Sequence, residues 1–197
     1  GSIGSGKGTS VAIPNMTYHE GSAFLMEMST TTYKHTHNFR RTVLGQKVYL
    51  IDPWNATGDP SETLNLLDTL FPDSPEFYTD AISFANTLMK DVEVTSRDGG
   101  SAYFDNNAKE LLTALLIYVK TSVEVEDEDR NLPHLFHLIA SYGSDEWNEI
   151  MRRMILDTGK NSGLYNKVGG YYYERDDENV RSIFSSMGQK FMQLLDP

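Results

Sequence analysis

A chain of 197 residues, 39% of them hydrophobic, is long enough for one large domain or two small ones and apolar enough for a packed core. It has no cysteine, which excludes disulfides and thiolate metal sites and fits a cytosolic setting. The net charge of −11 is uneven: residues 1–50 carry five Lys/Arg against two Asp/Glu, and the remainder carries twelve against twenty-six, a balance that repels phosphate backbones. The longest apolar runs, 111–119 and 22–28, are far short of the ~20 residues that span a bilayer. No signal-peptide pattern opens the chain.

Taken in order, the chain begins with a glycine-rich turn, Gly1 to Gly8. Thr9 to Met16 predicts a short helix broken near Pro14. Ser22 to Met28 predicts a buried parallel strand, Thr30 to Leu44 a helix ended at Gly45, and Lys47 to Ile51 a second strand stopped by Asp52-Pro53. Loop, helix, strand, helix, strand is the rhythm of a parallel sheet with crossover helices. After Trp54 no further strand is evident. Helices are predicted at Ser61 to Phe71, Pro75 to Asp91, Tyr103 to Val123, Leu132 to Tyr142, Ser144 to Asp157 and Asp177 to Leu195, each with an apolar stripe at helical spacing. Glu124 to Asp129 reads as a solvated loop. The expected fold is therefore an α/β start, a parallel-sheet fragment, followed by a mostly all-α domain. Asn55 to Pro60 is the expected boundary, giving residues 1–57 and 58–197.

One motif carries chemistry. Gly1-Ser2-Ile3-Gly4-Ser5-Gly6-Lys7 fits G-x-x-x-x-G-K. The glycines permit a loop whose backbone N–H groups turn inward around phosphate oxygens, and the helix that follows points its positive end at the same anion. Lys7 would reach the β- and γ-phosphates. The next residue is ordinarily a Ser or Thr whose hydroxyl binds Mg²⁺. Here Gly8 takes that place and Thr9 comes one later, rotated by ~100° about a helix axis. The expected ligand is ATP with Mg²⁺. Its site would be Gly1, Ser2, Ile3, Gly4, Ser5, Gly6, Lys7, Gly8 and Thr9, with Lys7 in the catalytic role and no protein metal ligand. Neither a strand ahead of the loop nor an apolar strand ending in an acidic pair occurs in the sequence.

The order of motifs resembles the TraG-like coupling proteins of type IV secretion and conjugation. In that family the loop commonly reads G-x-x-x-S-G-K-G, which Gly8 matches. A V-x-I-P-N segment follows, here Val11-Ala12-Ile13-Pro14-Asn15. Gly21-Ser22, Arg40-Arg41, Gly45 to Val48 and Asp52-Pro53 fall in the family's order. So do Tyr103-Phe104-Asp105-Asn106-Asn107-Ala108, Leu111 to Leu115, Ser182-Ile183 and Leu195-Asp196-Pro197. The chain departs where the family has Asp-x-Lys-Gly-Glu, with Glu27-Met28-Ser29-Thr30-Thr31 instead. The resemblance implies part of an ATPase motor with its all-α domain, moving DNA or relaxase-bound DNA into a secretion channel. It also implies a homo-hexamer anchored in a bacterial inner membrane, with these residues on the cytoplasmic side. Its partners would be DNA, a relaxase or other secreted protein, and other type IV secretion components. Without the Walker-B elements, these residues alone are expected not to hydrolyse ATP. The alternative, from charge, is a non-catalytic acidic helical docking module for a protein substrate or accessory factor.

Other constellations carry less. His35 and His37 alternate and so face apart on a helix, while His134 and His137 share a face. Tyr171-Tyr172-Tyr173, near Lys167 and Arg175, would suit base stacking but fits packing against the helices better. Arg152-Arg153, Lys160 and Lys167 are local basic spots.

Overall fold

The structure, a computed structural model, describes residues 6, 8–90 and 99–195, with side chains from residue 103 to residue 188 in the second of these long stretches. The chain divides into two compact units, Gly1–Leu64 and Asn65–Pro197.

In the first unit a single π-type turn, Gly8–Ala12, runs directly into α1 (Ile13–Tyr18). Pro14 does not break this helix but sits in its first turn, where a missing N–H is tolerated. That missing amide also removes a rung of the regular i→i+4 ladder, and the wider turn lies just before it. The second helix, α2 (Thr31–Thr42), ends as Gly45, at φ +66°, reverses the chain and lets the Gln46 amide reach the Arg40 carbonyl at 2.9 Å.

The expected α/β start is corrected here: among the described residues there is no strand and no parallel sheet. Residues 22–27 and 46–52 have no regular secondary structure, and neither forms a ladder with a neighbour. An extended chain becomes a strand only by pairing its N–H and C=O groups with another. Phe24, Met26 and Met28 are 85%, 84% and 109% exposed, so the 22–28 run is not a buried strand. Residues 47–51 alternate, with Val48 and Leu50 half-buried between exposed neighbours, and their one described backbone link outward is Glu62 N–H to the Leu50 carbonyl at 2.7 Å. The predicted helix over Ser61 to Phe71 is likewise absent. The chain has no regular structure from Pro60 to Asn65, whose side chain accepts from the Leu67 amide and opens a 3-10 turn, Leu66–Thr69. Leu67 and Leu70 are buried, but Leu64 and Phe71 are exposed, so the apolar stripe read from the sequence is not one face.

The second unit is helical throughout its described residues apart from connecting turns: α3 (Phe77–Leu88), α4 (Gly99–Thr121), α5 (Leu132–Ala140), α6 (Asp145–Leu156), α7 (Ser162–Tyr172) and α8 (Glu178–Leu195). Every residue from Leu111 to Val119 is buried, which is the signature of a central helix. Accordingly α4 packs against α3, α5, α7 and α8, while α6 and α7 form a tight pair. Helix starts are capped by side chains the sequence supplies: Asn131 accepts from the His134 amide at 2.9 Å, Ser144 from Trp147 at 3.2 Å and Asp177 from Val180 at 3.1 Å. The end of α4 is closed by Arg130, which donates to the carbonyls of Val119, Lys120 and Ser122. At the other side of the core Trp147, fully buried, is ringed by Tyr142, Tyr172 and Phe184 at 5.3–6.3 Å in edge-on arrangements.

Candidate nucleotide-binding site

Of the nine residues expected to hold nucleotide, the structure places Gly6, Gly8 and Thr9; Gly1, Ser2, Ile3, Gly4, Ser5 and Lys7 lie outside the described residues. Gly6 has φ +76°, a left-handed conformation that favours glycine and that turns successive amides toward one side. Its carbonyl accepts from the Ser10 amide at 2.8 Å and from the Thr9 hydroxyl at 3.1 Å. Thr9 therefore folds back onto the turn rather than outward. The first amides of a helix have no intrahelical partner, and this turn begins at Gly8, two residues after Gly6. A π-type turn holds one residue more than an α turn, and such turns recur at functional sites. It begins at the place where Thr9 arrives one residue late.

What holds this start in place was not read from the sequence. The Arg40 side chain, 5% exposed, reaches from the last turn of α2 to three carbonyls. It donates to Met16 at 2.5 Å, His19 at 3.1 Å and Gly21 at 2.9 Å. Gln46 adds a bond to the Glu20 carbonyl at 2.5 Å. At the other end of α2 the Glu27 carboxylate accepts from the amides of Thr32 at 3.3 Å and Tyr33 at 3.1 Å. A carboxylate there satisfies orphan donors and meets the positive end of the helix dipole. The departure from the family's Asp-x-Lys-Gly-Glu turn thus leaves its one acidic side chain as a helix cap. The signal for Arg40 was present, a cation in a last helical turn, but only as one of two adjacent arginines.

Asp52 closes the turn after the second extended segment. Its carboxylate accepts from the amides of Ala56 at 3.0 Å and Thr57 at 2.8 Å and from the Thr57 hydroxyl at 2.7 Å. The Thr57 amide, then its hydroxyl, holds the Asp52 carboxyl below the ordinary carboxylate range. The rings of His35 and His37 each bond a carbonyl one turn back, Thr31 and Tyr33, both at 2.8 Å, and His37 stacks on Tyr33.

In the helical unit, the basic spots read from the sequence are largely matched by carboxylates. Glu149 accepts from Arg152 and Arg153, both at 2.9 Å or less, and Arg153 also faces Glu124 at 3.2 Å. Lys167 meets Glu110 at 2.5 Å. The Tyr171 face, a candidate stacking platform, is covered by the Arg175 guanidinium 4.1 Å from its centroid, and Tyr172 is buried beside Trp147. His134 and His137 lie 6.2 Å apart, and Glu146, which sequence reasoning did not place there, approaches His137 at 3.3 Å. Among the described residues no group of three or more His, Cys, Asp or Glu is arranged to hold a metal ion. None of the described helices is long and apolar enough to cross a membrane.

A left-handed glycine turn feeding a helix, in one chain with an acidic helical unit, has the form of a candidate phosphate binder with a helical appendage. The family model for type IV secretory system conjugative DNA transfer proteins matches residues 1–197, and the chain belongs to that family. It is similar to the type IV secretion system-coupling protein VirD4 of Bartonella quintana (strain Toulouse), 28% identical over 183 residues, 91% of this chain and 27% of that protein. The VirD4 of Bartonella henselae (strain Houston 1) is 27% identical over 183 residues, with the same shares. The chain thus spans about a quarter of the length of the curated relatives it matches. No solved structure matches it.

Proposed function

We propose that these residues form part of a type IV secretion coupling ATPase, that Gly1 to Thr9 bind the phosphates of ATP, and that the whole protein moves DNA or relaxase-bound DNA toward a secretion channel. The observation that carries this reading is the family match over residues 1–197 coinciding with the G-x-x-x-x-G-K pattern at its start. The left-handed Gly6 and the amides entering the π-type turn suit an anion, and a Lys7 ammonium beyond them would place charge on the transferring phosphate. Mg²⁺ would be carried in with the nucleotide. Thr9 and Ser10 are the described hydroxyls beside Gly6, and that of Thr9 is drawn back on the Gly6 carbonyl at 3.1 Å. A ring of six copies and a membrane anchor belong to this reading as the family resemblance implies them.

The test is nucleotide binding. ATP should bind the chain and the full-length protein, and Lys7→Ala should abolish turnover by the latter. Unchanged hydrolysis in that variant would sink the assignment of Lys7. The 197 residues alone should bind without appreciable hydrolysis, because their sequence has no apolar segment ending in an acidic pair to position Mg²⁺ and water. A second reading is favoured by the charge of the helical unit: it serves as a docking surface for a protein with a basic face, such as a relaxase or accessory factor. Such pairing speeds encounter at low salt, so salt-sensitive association with a basic protein, unaffected by Lys7→Ala, would favour it.

A further inference from the structure

We infer that Arg40 is a positioning residue for the phosphate loop, clamping the helix that leads out of it; this rests on the proposed role of Gly1 to Thr9. A buried guanidinium is costly unless its donors are satisfied. Arg40 has no carboxylate within ion-pair distance among the described residues. Its charge is held instead by three carbonyls, of Met16, His19 and Gly21, all within the six residues where α1 ends. That is the negative end of the helix dipole, where a cation is stabilising.

The continuous stretch Gly8 to Tyr18 has no buried residue, and the Thr17 hydroxyl bonds the Ile13 carbonyl within its own helix. Among the described residues, the side-chain hydrogen bond that reaches it from another element is the one from Arg40 to Met16. Half-buried residues of this stretch rest on α2, and Arg40 adds the polar tie that fixes where the end of α1 lies. The clamp is itself anchored. Arg40 sits at one end of α2, Glu27 caps the other, and Gln46 holds the same turn through Glu20. The chain from 16 to 46 is thus closed on itself around α2, with the phosphate-loop helix attached at its C-terminal end. Misplacing a binding group by about 1 Å has large consequences for phosphate chemistry. A lysine carries its three donors on one nitrogen, whereas the guanidinium reaches Met16 and His19 from Nη1 and Gly21 from Nη2 in a fixed planar fork.

The test uses the whole chain, with a fluorescent ATP analogue as probe and amide hydrogen exchange as a readout that needs no nucleotide. Arg40→Ala should raise exchange over 8–18 while leaving protection of α2 and of 103–188 unchanged. It should also weaken analogue binding roughly tenfold. Arg40→Lys should fall between it and the unaltered chain. If the unaltered chain does not bind the analogue, the nucleotide reading fails and this inference loses its ligand. If it binds, Lys7→Ala abolishes binding and Arg40→Ala binds within about twofold, the nucleotide reading stands and the positioning role is overturned. Loss of α2 protection together with that of 8–18 would also overturn it, because Arg40 would then hold the whole unit rather than place one helix.

Discussion

Gly169, in α7, lies where α6 comes closest: a Cβ there would meet the Met151 carbonyl at 2.6 Å, Ile155 Cγ1 at 2.9 Å and the Ile155 amide nitrogen at 3.0 Å. Two of these are backbone atoms that cannot rotate away, so Gly169→Ala should destabilise the helical unit by ~1–3 kcal/mol in urea unfolding. Its neighbour Gly170 has nothing within 4 Å of a Cβ, and there Ala should be neutral or stabilising by up to ~0.5–1 kcal/mol. Equal losses at the two sites would show that helix pairing does not depend on this approach. Acid should act through other residues. Hydrogen bonds from Arg152 and Arg153 hold the Glu149 carboxyl down at about 2, and Arg181, then Tyr142, hold Asp176 at about 2. A carboxyl depressed in the folded state adds stability above its unfolded pKa of ~4 and loses it as pH falls toward the folded value. The urea midpoint should therefore drop between about pH 5 and pH 2, and Glu149→Gln with Asp176→Asn should flatten that drop. Both groups are well exposed, so the effect should be small and weaker still at high salt.

Elements with a continuous buried stripe were legible, and those whose shape depends on a partner were not. Leu111 to Val119 predict a helix from composition alone, and α4 is that helix. Its Leu115 is fully buried, and Leu115→Ala should cost ~2–5 kcal/mol in urea unfolding. Phe184 stacks on Tyr142 with centroids 4.0 Å apart and meets Trp147 edge-on, so Phe184→Ala should be similarly costly though it is only partly buried. Two losses below ~0.5 kcal/mol would remove both residues from the core. The whole of α7 escaped the sequence reading: Ser162 to Tyr172 contains three glycines, and its apolar positions Tyr165, Val168 and Tyr172, which are buried, are few. Glycines ordinarily weaken a helix, but Gly169 is where α7 meets α6. Residues 22–28 and 47–51 read as strands from the sequence, yet a strand is a relation between two segments, and neither has a ladder. The glycine pattern of the candidate site was plain in the sequence. The Arg40 clamp was not, because its three acceptors are backbone carbonyls and carry no sequence signature.

The charge of the whole molecule bears on what it can grip. Binding duplex DNA requires cations free to replace counterions, and proteins with six to ten phosphate contacts lose roughly 10³–10⁵ in affinity between 50 and 200 mM salt. The chain has 17 Lys/Arg against 28 Asp/Glu. In the helical unit Lys120, Arg130, Arg152, Arg153, Lys167, Arg175 and Arg181 each face a carboxylate within 4.0 Å. The exposed pairs among them, such as Lys167 with Glu110 and Arg181 with Asp176, contribute little to stability. Each nevertheless cancels a local positive potential, so a phosphate would have to displace a carboxylate to reach the guanidinium or ammonium. The basic spots at Arg152-Arg153 and Lys167 are therefore weaker anion sites than the sequence suggests. The chain should bind naked duplex DNA weakly or not at all at physiological salt in an anisotropy titration, and with little salt dependence. Glu149→Gln together with Glu110→Gln would leave Arg152, Arg153 and Lys167 without their main partners, and should strengthen binding at low salt if those spots face DNA in an assembled ring. Sub-micromolar binding by the unaltered chain, falling steeply as salt is added, would instead mean that the acidic unit grips DNA directly, and would remove the charge argument for a basic protein partner.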